Sequence, residues 1–231
     1  MLIEQFVLSI FQQNTRVVAC SATKQAICID PAEPSPAVAD LITAKGLDLK
    51  AITLTHGHLD HIGGVAFLHE RFPDAEILLH KGDEDLYYGL PSQPLFMGMQ
   101  PQQLAALGLQ YKEPPALTRN WEDGEIFQVG ELEFEVRHCP GHTPGHVVLV
   151  ASSAKKVFVG DCLFEGSIGR TDLPGGDHAQ LLDSIGRNLL TLDDDFIVYS
   201  GHGRETTIGR ERMSNPFLNG LYDLSRRGRF V

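Results

Sequence analysis

The chain has 231 residues, 42% hydrophobic and 21% charged, a composition that supports one substantial buried core. Its formal net charge of -11 repels phosphate backbones and makes nucleic acid a poor partner. No apolar run is long enough to span a bilayer, and the stretch from Met1 to Val7 lacks a basic leader, so the expectation is a soluble, cytoplasmic protein with no membrane partner. Cys20, Cys28, Cys139 and Cys162 show no C-x-x-C spacing and fit small buried hydrophobes in a reducing compartment.

Apolar patterning predicts strands from Ile3 to Leu8, Thr15 to Ala19 and Ala26 to Asp30. Ser35 and Pro36 open a helix carrying Val38, Leu41 and Ile42 on one face, with Gly46 at its end. Leu49 to Thr55 is a strand, Val65 to Phe72 a helix stopped by Pro73, and Ile77 to His80 another strand. Residues 86 to 118, interrupted by five prolines and carrying a cluster from Phe96 to Met99, read as a loop or short-helix excursion that overhangs a site. Two hairpins follow: Glu125 to Val129 with Glu131 to Arg137 around Gly130, and Val147 to Ala151 with Val157 to Asp161. Asp177 and Gln180 form a capping pair for a helix bearing Leu181, Leu182, Ile185 and Leu189, and Phe196 to Ser200 is a last strand. Strand, helix, strand with short links describes an α/β layered fold.

The candidate chemistry collects at strand ends. His56, His58, Asp60 and His61 follow the apolar run Ala51 to Leu54, at a spacing that no single helix or strand can aim at one ion. The spacing suits a turn feeding two adjacent metal positions, and Gly57, Gly63 and Gly64 supply backbone freedom there; a histidine-rich solvated turn is the alternative. His142, Asp161 and His202 also lie at a strand end or just beyond a hairpin. These seven are too many ligands for one tetrahedral ion and suit two divalent ions sharing a carboxylate, with zinc, iron and manganese all compatible. His146 reads equally as support for the site or as a hydrogen-bonded core histidine, while His69, His80, His138 and His178 have no ligand-like context. Cys162, next to Asp161 on the same strand, should face the other way.

Through His56-x-His58-x-Asp60-His61, Gly141-His142-Thr143, Gly160-Asp161 and Gly201-His202-Gly203, the sequence resembles the metallo-β-lactamase-fold hydrolases. The resemblance implies a four-layer αβ/βα sandwich, a single domain over residues 1–231 with 201–231 as a short C-terminal extension. It also implies that His56, His58 and His142 hold one metal, Asp60, His61 and His202 the other, and Asp161 bridges both, while Asp30 braces the metal loop. One bound zinc, the simplest choice of ion, already lowers the pKa of its water to about 7. A bridging hydroxide is then the expected nucleophile, with Asp60 as the catalytic group that orients it and takes its proton.

The segments from Phe164 to Asp177 and from Thr206 to Leu218 resemble the hydroxyacylglutathione hydrolase (glyoxalase II) group, in its short bacterial branch. That implies hydrolysis of the thioester S-lactoylglutathione to D-lactate and glutathione. The longer members carry an aromatic residue and a lysine where this chain has Arg170, Thr171 and Asp172. Arg170 is therefore either a structural ion pair or a clamp for a substrate carboxylate. From Gly201 onward six arginines face three acids, which reads as a solvated tail or as a receiver of a carboxylate-bearing substrate, with Arg210 and Arg212 as candidates. Gly169 to Asp172 is also similar to the persulfide dioxygenases of this superfamily, which implies the alternative of one iron on His56, His142 and Asp161 oxidising glutathione persulfide. A lactonase or a catalytically silent metal-binding protein is a further alternative.

Overall fold

The computed structural model describes residues 1–96, 98, 100–107 and 111–218. Met97 and Met99 of the Phe96 to Met99 cluster lie outside these residues, as do Asp223, Arg226, Arg227 and Arg229 of the basic C-terminal run. The chain divides into two compact units, Met1–Asn120 with Val129–Glu131, and Trp121–Gln128 with Leu132–Val231.

The first unit is built on a six-stranded sheet whose spatial order follows the sequence: β1 (Leu2–Leu8), β2 (Gln13–Ala19), β3 (Gln25–Ile29), β4 (Asp48–Thr53), β5 (Glu76–His80) and β6 (Arg119–Trp121). β1, β2 and β3 pair antiparallel, whereas β3, β4 and β5 run parallel. A parallel pair needs a crossover, and helices supply it here. α1 (Pro36–Ala44) connects β3 to β4; α2 (Leu59–Ile62) and α3 (Val65–Arg71) connect β4 to β5. Ile52, Leu54, Ile62, Val65 and Ile77 are fully or almost fully buried with Val38 and Ile42 in one core, each contributing about 1.5–3 kcal/mol. Ser35 takes the N-cap position of α1 without the expected side-chain bond, and Pro36 at the first helical position pre-sets its φ. The excursion resolves into short helices, α4 (Glu84–Tyr88), α5 (Gln93–Phe96) and α6 (Pro101–Leu107), because its prolines keep interrupting them.

The second unit has a sheet in the order β14-β13-β10-β9-β8-β7, namely β7 (Ile126–Val129), β8 (Leu132–His138), β9 (Val147–Ala151), β10 (Lys156–Gly160), β13 (Ile197–Ser200) and β14 (Thr206–Thr207). β11 (Leu163–Phe164) and β12 (Ser167–Ile168) form a separate two-stranded hairpin. β10 and β13 are parallel, and α7 (His178–Asn188) lies between them in sequence. Leu181 and Ile185 of α7, with Leu189 at its C-cap, pack with Val148, Val157 and Val198 of the strands, and Ile208 of α8 (Ile208–Ser214) joins that core. Among the described residues no helix is long and apolar enough to cross a membrane.

The elements stop one or two residues earlier than their apolar patterns suggest, at the places that matter for chemistry. β3 ends at Ile29, so that Asp30 leaves the strand with φ of 51°; β4 ends at Thr53 and β10 at Gly160. Asp30, His56 to His61, Asp161 and His202 thus follow the carboxyl ends of parallel strands, where neither ladder nor pleat dictates side-chain direction. α7 begins as expected, the Asp177 carboxylate accepting the Gln180 N–H at 2.9 Å. Asp177→Ala should therefore lower unfolding stability by about 1 kcal/mol, read as a lower denaturant midpoint at unchanged slope.

Candidate metal centre

The loop leaving β4 is anchored from below by one carboxylate. Asp30 is almost fully buried and accepts the Thr55 N–H at 2.8 Å, the Thr55 hydroxyl at 2.7 Å and His61 Nδ1–H at 2.9 Å. The Thr55 hydroxyl has one hydrogen, donated to Asp30, so its oxygen accepts from His56 Nδ1–H at 3.1 Å. Both imidazoles are thereby held as the Nδ1–H tautomer with the Nε2 lone pair presented, the form that ligates a transition metal. The turn expected after His58 is a single helical turn, α2, which carries Asp60 and His61. Ligand atoms of His56 and His58, of His56 and His61, and of Asp60 and His61 lie within 4.8 Å of one another. His56 and His61 are fully buried, while Asp60 keeps 18% of its side chain exposed.

The second unit assembles three donors in the same manner. Gly141, at φ of 130°, lets the loop lie on the first turn of α7, where a Cβ would sit 2.3 Å from the Leu181 nitrogen. The next residue, His142, donates Nδ1–H to the Arg170 carbonyl at 2.7 Å, which fixes the same tautomer. Asp161 Oδ2 lies 3.8 Å from His142 Nε2 and 3.5 Å from His202 Nε2, so one carboxylate faces two imidazoles. The Asp161 N–H donates to His146 Nε2 at 3.1 Å, and His146 Nδ1 lies 3.3 Å from Cys162 Sγ. His146 is thus both a buried core histidine and a support for Asp161. Cys162 lies past the end of β10, so strand alternation does not set its direction; its thiol packs 3.2 Å from Cys139 Sγ, and burial pushes it well up, away from the nucleophilic thiolate. The chemistry of this donor set, neutral imidazoles and carboxylates, fits a divalent transition metal in both units.

The arginines are placed differently from one another. Arg170 is exposed and holds Asp172 through two bonds, Nε to Oδ1 at 2.7 Å and Nη2 to Oδ2 at 2.8 Å. Arg210 pairs with Glu165 at 2.8 Å. Arg212 is committed to the fold: its side chain is largely buried, pairs with Asp194 and donates to the Leu190 and Leu192 carbonyls at 2.8 Å. Thr55, Asp83 and, from the excursion, Gln93 also support the loops although no spacing in the sequence marks them. His80 accepts a bond from the Gly82 N–H, and His138 bonds the Pro144 carbonyl, both local structural roles.

Residues 9–202 match the model of the metallo-β-lactamase superfamily. The chain belongs to that superfamily. Metallo-β-lactamase relatives cover it almost end to end. It is 40% identical to hydroxyacylglutathione hydrolase GloC of Haemophilus influenzae over 94% of this chain and 98% of that protein. Among solved structures, the B3 metallo-β-lactamase BLEG-1 superposes with a TM-score of 0.82 at 35% identity, over 95% of this chain and all of that one. TTHA1623 in a di-iron-bound form superposes with a TM-score of 0.79 at 38% identity, over 93% of this chain and all of that one. The α/β fold class of the superfamily, anticipated from the ligand motifs, is the one this metallo-β-lactamase-fold chain has. The family is one of metal-dependent hydrolases, and the histidines and aspartates of both units are donors able to hold a divalent ion.

The Arg170 guanidinium beside Asp172 holds that carboxyl down to about 2, chiefly through its hydrogen bonds. Arg170→Ala should let Asp172 rise towards the ordinary 3.8, followed by carboxyl NMR titration.

Proposed function

We propose that the seven side chains form one binuclear centre, with His56, His58 and His142 on one ion, Asp60, His61 and His202 on the other, and Asp161 shared. Zinc is the proposed metal, iron and manganese being compatible with the same donors. The reading is supported by the Nδ1–H tautomers of His56, His61 and His142 and by the Asp161 carboxylate lying close to two imidazoles.

The proposed reaction is hydrolysis of S-lactoylglutathione to D-lactate and glutathione in the cytoplasm. The observation that carries the substrate is the 40% identity to a hydroxyacylglutathione hydrolase over nearly its whole length. Four free, buried cysteines support a reducing compartment. When bound, the ions supply a hydroxide at neutral pH and polarise the thioester carbonyl. Asp60, on the first turn of α2 and partly open to solvent, orients the attacking water and accepts its proton on a carboxylate oxygen. The thiolate leaves without acid assistance, so no further proton donor is required. Arg170 serves twice: its carbonyl orients His142, and its guanidinium exchanges Asp172 for a carboxylate of glutathione. The exchange is easy because an exposed pair of this kind contributes only about 0–1 kcal/mol.

Purified protein should carry close to two transition-metal ions per chain and hydrolyse S-lactoylglutathione, measured together on one preparation. A single iron with oxygen uptake on glutathione persulfide and no thioester turnover would replace this reading with the dioxygenase. Asp161→Ala should abolish turnover and lower metal occupancy; wild-type turnover in that variant refutes the shared-ligand role.

A further inference from the structure

The peptide groups on either side of His58 are gripped by Gln93 of the excursion, and the peptide before them by Asp83, which precedes the excursion in the same unit. Gln93 Nε2 donates to the Gly57 carbonyl at 2.7 Å and to the Leu86 carbonyl at 2.8 Å, while Gln93 Oε1 accepts the Leu59 N–H at 2.9 Å. Asp83 Oδ2 accepts the Gly57 N–H at 2.9 Å. Asp83 is fully buried and Gln93 nearly so. The approach depends on residue 57 having no side chain, because a Cβ there would lie 2.8 Å from Leu86 Cβ and 3.0 Å from the Asp83 carbonyl. His58 occupies the N-cap position of α2 in extended conformation, φ -70° and ψ 148°, between two tethered peptides.

We propose that Gln93 is a positioning residue for His58, fixing the direction in which the excursion side of the loop presents this ligand. The inference rests on the binuclear reading above. A primary amide is an uncharged group that offers acceptor and donors together, and here the acceptor meets an N–H while the donors meet two carbonyls. Glutamate has the same size but only acceptors, so it would face both carbonyls with a buried charge. Methionine keeps the volume and loses the polar bonds. The Asp30 network holds His56 and His61 from the sheet side through atoms that Gln93 does not touch. Loss of the amide therefore acts on the ion that His58 serves, more than on the ion served by Asp60, His61 and His202.

The test is calorimetric zinc titration of metal-stripped full-length protein for wild type, Gln93→Met and Gln93→Glu, with thermal melting of the stripped proteins alongside. Gln93→Met should weaken one of the two zinc sites by about 10- to 100-fold and leave the other within about twofold. Gln93→Glu should weaken the same site at least as much; if it does not fold, Gln93→Met decides. Unchanged affinity at both sites, or equal weakening of both with a lower melting temperature, overturns the proposal. A wild type that takes up a single zinc refutes the binuclear reading instead. In that case weakening of this one site by Gln93→Met upholds the positioning role, and unchanged affinity overturns it.

Discussion

The Asp30 carboxylate is the interaction on which the β4 loop depends. A buried carboxylate left alone costs several kcal/mol, and only a set of donors aimed at it makes the position tolerable. Thr55 and His61 supply that set, each charge-assisted bond contributing about 1.5–3 kcal/mol. The requirement runs in both directions. The carboxylate needs the threonine and histidine hydrogens, and those bonds leave His56 and His61 only one tautomer. A stability constraint of the core thereby prepares two imidazoles as ligands. Asp30 reaches this position because the chain leaves β3 through a left-handed residue, which aspartate tolerates better than most.

The second unit solves the same problem with different groups. There the Asp161 backbone, rather than a side chain, is held by a buried histidine that rests on Cys162, while the backbone carbonyl of Arg170 orients His142. Both units place chemistry just beyond parallel strands, where short turns free side chains from the pleat and where buried bonds underneath set their direction. Neither half of the proposed ligand set is held by loops alone.

Much of this was legible in the sequence, and the reasons are specific. The His56 to His61 run is short and dense, so all four candidates share one loop whatever surrounds it. Alternating glutamates in β8 showed its wet face, and Asp177 followed by Gln180 showed where α7 starts. Other features left no such trace. Arg212 reads as one member of a basic tail, yet its guanidinium caps carbonyls of residues 190 and 192. Gln93 sits among prolines in a stretch without periodicity, and its partners on the β4 loop lie 34 and 36 residues earlier in the chain.

The sequence by itself determined which residues can carry chemistry and at which strand ends they stand, because ligand type and strand period are local properties. It also determined the superfamily, whose motifs combine both. Tertiary structure alone decided which nitrogen each imidazole presents, that Arg170 is engaged by Asp172, and that Gln93 and Asp83 hold the peptides around His58. Those outcomes depend on donors and acceptors brought together from distant segments, and a buried polar group takes whichever partner the packing delivers.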